Sequence, residues 1–172
     1  MARNIEIKAN IRDLDSLVSV VTQIADSGPV VIDQDDTFFH CPDGRLKLRE
    51  LSAKQGELIL YHRPDVSGPK TSTYVISQTS EPGTMRQILS AVLGVAGRIR
   101  KRRNLFLCGS TRIHIDNVEG LGNFVELEVV LENSDSVESG QQLAEELMTR
   151  LGIQSGDLVE GAYIDMIPVS FI

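Results

Sequence analysis

Arg45-Leu46-Lys47-Leu48-Arg49 puts a cation at every second residue with a leucine between each pair. Alternate side chains of a strand point to opposite faces, so this stretch has one apolar face and one face with three positive charges about 7 Å apart. Other stretches repeat the arrangement. Residues 4–11 set Glu6 and Lys8 opposite Ile5, Ile7 and Ala9. Residues 111–116 set Arg112, His114 and Asp116 against Ile113 and Ile115, and residues 124–131 set Glu126 and Glu128 against Val125, Leu127 and Val129. Lys101 and Arg103 share a face in 98–107, and Arg63 ends a further strand. A fold built from such strands must cover the apolar faces and neutralise the charged ones.

The charged faces together hold eight bases (Lys8, Arg45, Lys47, Arg49, Arg63, Lys101, Arg103 and Arg112) and four acids (Glu6, Asp116, Glu126 and Glu128), although the whole chain carries a net charge of −7. An acidic protein has therefore gathered its positive charge on strand faces. The solvated side of an open antiparallel sheet would interleave the signs, which Arg45-Leu46-Lys47-Leu48-Arg49 does not do. The alternative is a closed barrel with its polar faces inward and its apolar faces outward under amphipathic helices. Such a lumen suits an elongated polyanion. Arginine forks and lysine point charges grip phosphate oxygens. The Glu126/Glu128 pair would hold a divalent cation, and all-oxygen coordination points to Mg2+ or Mn2+ rather than zinc.

Helical spacing supplies the cover. Leu14, Leu17, Val18, Val21 and Ile24 form an apolar stripe with Asp13 as N-cap and Gly28-Pro29 as the stop. A second helix starts near Ser80 with Pro82 in its first turn. A third carries Val137, Leu143, Leu147 and Leu151 and ends at Gly152, and a short fourth lies within residues 155–167. With a short extended stretch at 35–41 and the turn Pro42-Asp43-Gly44, the expectation is α+β: an eight-stranded antiparallel β-barrel with helices packed outside.

At 172 residues, 41% hydrophobic and 24% charged, the chain is expected to form one soluble globular domain over 1–172. No apolar run approaches the roughly 20 residues a membrane helix needs. Arg3, Glu6 and Lys8 break up any secretory signal core. Cys41 and Cys108 form neither a disulfide framework nor a metal-ligand spacing, so a reduced, cytoplasmic setting is expected. The acidic balance argues against nucleic acid as a partner, and Tyr61, Tyr74 and Phe124 are too scattered to form a stacking platform. A monomer or homodimer, away from membranes, is expected.

Residues 5–8 (Ile-Glu-Ile-Lys), 45–50 (Arg-Leu-Lys-Leu-Arg-Glu), 101–106, 111–116 and 120–131, taken in that order, resemble the CYTH superfamily, the triphosphate tunnel metalloenzymes. The ending at 160–167 is similar to that of class IV adenylyl cyclases, and thiamine triphosphatase-like proteins share the pattern. The resemblance implies an eight-stranded tunnel binding a triphosphate with Mg2+ or Mn2+. It implies Glu6, Glu126 and Glu128 as metal ligands, with Asp116 and Asn4 as further candidates. Triphosphate binding falls to Lys8, Arg45, Lys47, Arg49, Arg63, Lys101, Arg103 and Arg112. Of these, Lys8, Arg63 and Arg112 are the expected catalytic residues, stabilising charge during phosphoryl transfer, and Lys8 is a candidate general base. The family's Glu-x-Glu-x-Lys is here Asn4-Ile5-Glu6-Ile7-Lys8, so one ligand position brings no charge. Arg49 also lies within reach of Glu50 or Glu57. His114 is read as a packing residue, while His40 and His62 carry no signal.

Three functions fit. Water attack on the terminal phosphorus makes a triphosphatase for inorganic triphosphate, thiamine triphosphate or a nucleoside triphosphate. Attack of a ribose 3′-hydroxyl on the α-phosphorus makes an adenylyl cyclase releasing pyrophosphate. A non-catalytic polyphosphate or nucleotide binder would show binding without turnover. The absence of an adenine-reading motif favours hydrolysis, and the C-terminal ending favours the cyclase.

Overall fold

The computed structural model describes residues 1–167. Eight antiparallel strands close into a barrel: β1 (Ala2–Asn10), β2 (Ser27–Phe39), β3 (Arg45–Ser52), β4 (Gln55–His62), β5 (Lys70–Thr79), β6 (Val95–Cys108), β7 (Thr111–Val118) and β8 (Gly122–Leu131). Two meanders, β2–β5 and β6–β8, are joined along one seam by β2 against β6 and along the other by β1, which pairs with both β5 and β8. Closure leaves no strand edge to cover. The sheet forms the expected architecture with its polar faces inward.

Burial explains that polarity. Ile5, Ile7, Ile113, Val125, Leu127 and Val129 point outward and are all but inaccessible beneath α1 (Leu14–Ile24) and α3 (Val137–Arg150), which contribute Leu17, Val21, Ala144 and Leu147. Each such side chain contributes about 1.5–3 kcal/mol on burial, so the external layer secures the barrel without filling its lumen. Gly140 of α3 lies so close that an added Cβ would meet Leu131 and Ile5 at 2.7 and 2.8 Å. On the other flank α2 (Pro82–Leu93) covers Leu48, and its Pro82 fits against Gly56.

Asp13 caps α1 by accepting from the Ser16 amide, and Ser136 caps α3 likewise from Ser139. Gly28-Pro29 does not stop α1. The helix ends at Ile24, and β2 already runs through these two residues, starting at Ser27 rather than at the expected residue 35. Pro29 is tolerated because the β2–β6 register is irregular between Ser27 and Val30, where no ladder amide is required of it.

After α3 the chain makes a single 3-10 turn (Ser155–Asp157) and crosses one end of the barrel as an irregular segment, ending in α4 (Tyr163–Met166). Leu158 bridges to Ala9 and the Val159 amide donates to the Lys8 carbonyl. Tyr163 then packs with Phe38, Ile99, Val118 and Phe124 into a second apolar cluster inside that end. The lumen is thereby closed at one end. At the other, Ile76 points inward yet remains 44% exposed, and among the described residues nothing covers the rim.

Candidate active site

Strand phase places most of the expected residues in one cavity. Asn4, Glu6 and Lys8 come from β1, Lys47 and Arg49 from β3, and Arg63 from just beyond β4. Lys101 and Arg103 come from β6, Arg112 from β7, and Glu126 and Glu128 from β8. Each cation has an acidic neighbour. Lys8 Nζ lies 3.4 Å from Glu126, Arg63 donates to Glu6 at 2.8 Å, and Arg112 stands 3.6 Å from Glu128. Arg103 pairs with both Glu126 and Asp116. The acids thus neutralise the bases within the lumen.

Two expected residues stand elsewhere. Arg45 does not line the cavity. At the closed end it donates to Asp65 at 2.6 Å and to Asp165 at 2.9 Å, so it fastens the C-terminal segment. Asp116 has no exposed surface and is not free to ligate a metal. It accepts from Lys101 at 3.0 Å, from Arg103 at 2.7 Å and from the Tyr163 hydroxyl at 3.1 Å, and it orients those two bases. Burial alone would raise its pKa, but Lys101 and Arg103 outweigh burial and hold it at about 2.

Several contributors are not legible in the sequence. Asp36, inward on β2, accepts from Lys47 at 2.7 Å and from Arg49 at 2.9 and 3.1 Å, and sits below the usual carboxylate range because those cations overcome its burial. Arg49 reaches Glu57 only at 3.8 Å. Lys70 is buried and donates to the carbonyls of Val66, Val159 and Glu160 at 2.7–3.1 Å, pinning the closing segment. Tyr163 lies under two ammonium groups, with Lys8 Nζ 3.8 Å and Lys101 Nζ 4.9 Å from its ring centroid. Lys8 also donates to the Gly161 carbonyl at 3.1 Å.

His114 is buried, with its Nδ1 3.6 Å from Glu128 and 3.9 Å from Glu126. Burial, reinforced by Arg103, pushes the imidazole below its ordinary pKa. Burial also lowers two of the cavity-lining lysines to about 8. For Lys8, Arg63 and Lys101 add to the effect against Glu126; for Lys47, Arg49 adds to it against Asp36. The aromatic residues, scattered in sequence, converge in space. Tyr61 stands opposite Tyr74 and Ile59 opposite Ile76, an uncharged wall on β4–β5. In the barrel order this wall faces β6 and β7, which carry Lys101, Arg103 and Arg112.

Carboxylates and cations thus share the inward faces of a closed antiparallel barrel. The CYTH domain family matches residues 2–163, and the chain belongs to that family. It is 23% identical over 170 residues to "Adenylate cyclase CyaB" of Aeromonas hydrophila, covering 92% of this chain and 85% of that protein. The fold is similar to that of the PH1012 protein from Pyrococcus horikoshii OT3 (TM-score 0.85, 20% identity, 96% of this chain and 99% of that one). It is also similar to a Hippeastrum protein, HpAC1, described as a putative adenylyl cyclase with a dominant triphosphatase activity (TM-score 0.61, 16% identity, 92% and 91% covered).

Proposed function

We propose that the chain is a divalent-cation-dependent triphosphatase that binds the triphosphate in its barrel. The observation carrying this reading is the convergence of seven bases and three glutamates on a lumen closed at one end. Lys47, Arg49, Arg63, Lys101, Arg103 and Arg112 bind phosphate oxygens and stabilise the charge that develops on the transferred group. Lys8, between Glu126 and Tyr163, adds a cation whose lowered pKa suits it to exchange a proton near neutrality. Glu6, Glu126 and Glu128 would hold Mg2+ or Mn2+. The residues fit such an ion: Lys101, Lys8 and Arg103 hold Glu126, and His114 and Arg103 hold Glu128, below the usual carboxylate range against burial, and the buried Asn4 Oδ1 and His114 Nδ1 lack hydrogen-bond partners. When bound, the ion supplies Lewis acidity and charge neutralisation at the phosphate oxygens.

The β4–β5 wall favours a second reading. Tyr61, Tyr74, Ile59 and Ile76 offer a flat organic ring an apolar surface across from the bases, which supports a triphosphate ester and keeps the adenylyl cyclase reading open. The test is incubation with inorganic triphosphate, thiamine triphosphate and ATP, each with Mg2+ and with Mn2+, with phosphate and cyclic AMP measured separately. Phosphate release is expected. Cyclic AMP as the main product would replace hydrolysis with cyclisation, and binding without any product would leave a non-catalytic triphosphate binder.

A further inference from the structure

His114 lies on β7 directly opposite Glu126 of β8. Its Nδ1 has no hydrogen-bond partner although the residue is only 3% exposed. The separations of 3.6 Å from Glu128 Oε1 and 3.9 Å from Glu126 Oε2 exceed hydrogen-bond length. A polar atom so placed is costly to leave unsatisfied. The donor atoms of His114, Glu126 and Glu128 all lie within 4.8 Å of one another. Around one ion with bonds of about 2.1 Å, donors stand up to about 4.2 Å apart, so a small inward shift brings all three onto a common centre.

We propose that His114 is a nitrogen ligand of the cation held by Glu126 and Glu128, and that this chain therefore prefers Mn2+ to Mg2+. The inference rests on the metal-dependent reading above and goes further, since that reading names only glutamates as ligands. Mg2+ favours oxygen ligands and retains water, whereas imidazole suits the transition ions. Asn4 moves the site the same way. An amide where the family pattern has a carboxylate removes one negative charge, and with it part of the attraction for a hard ion. The donor set then adds one imidazole nitrogen to the glutamate carboxylates.

The test uses the full-length protein stripped with chelator and reloaded with Mn2+. Pulsed electron paramagnetic resonance is expected to show 14N modulation from a coordinated imidazole, and His114→Gln is expected to abolish it. By calorimetry the same substitution is expected to weaken Mn2+ binding about 10-fold or more and Mg2+ binding by much less. Bound Mn2+ without 14N modulation in the unsubstituted protein overturns the assignment of His114, a result that needs no variant to fold. Equal weakening of the two ions by His114→Gln overturns the preference. Absence of Mn2+ binding, or unchanged binding in Glu126→Gln, overturns the metal reading itself and the inference with it.

Discussion

Lys47 shows how a single residue makes the site sensitive to pH. Burial and the neighbouring Arg49 lower its pKa to about 8 against the pull of Asp36, so it loses its charge as pH rises through 8. A bound polyanion favours the protonated form and raises that pKa, so binding near pH 8 takes up a proton. Triphosphate affinity should accordingly fall from pH 7 to pH 9. Lys8 titrates in the same range, so Lys47→Met should lower the slope of log Kd against pH by up to about one rather than flatten it. Calorimetry in buffers of different ionisation enthalpy reads both the slope and the proton uptake. Phase within a strand made Lys47 identifiable from sequence. Asp36, which holds it, was not, because a carboxylate in an extended stretch reveals neither its face nor its partner until β2 pairs with β3.

At the scale of elements, period two marks β1, β3, β7 and β8, whereas the run of bases in 98–103 leaves the phase of β6 ambiguous. β2 is the least legible strand, since Val30, Val31 and Ile32 break the alternation and only pairing with β6 defines its length. The closing segment was less legible still. Its links to Lys8 and Lys70 run through backbone carbonyls about 150 and 90 residues away, and carbonyls carry no sequence signal. Tyr163 is expected to be its main anchor. Tyr163→Ala should destabilise the protein by about 3–5 kcal/mol in urea unfolding, and Tyr163→Phe, which loses only the hydroxyl bond to Asp116, by about 1 kcal/mol. Close packing of α3 gives a second expectation. Gly140→Ala must displace Leu131 or Ile5, so despite the better helix propensity of alanine it should lower stability by roughly 1–3 kcal/mol, visible as a lower Tm.

For the whole molecule, the notable property is a reversed polarity: charge lines the inside of the barrel and the aliphatic layer lies between barrel and helices. The alternation of bases and leucines in 45–49 already contained that reversal, whereas the seal at one end depends on contacts made only after the chain has folded back. The seal turns the lumen into a cul-de-sac. A substrate cut in two there has one exit for both fragments, so the piece nearer the mouth must depart before the deeper one can pass. Steady-state kinetics should then follow an ordered scheme, in which the fragment that leaves last competes with substrate for the empty enzyme and the fragment that leaves first does not. Competitive inhibition by both products would mean that the far end opens during turnover.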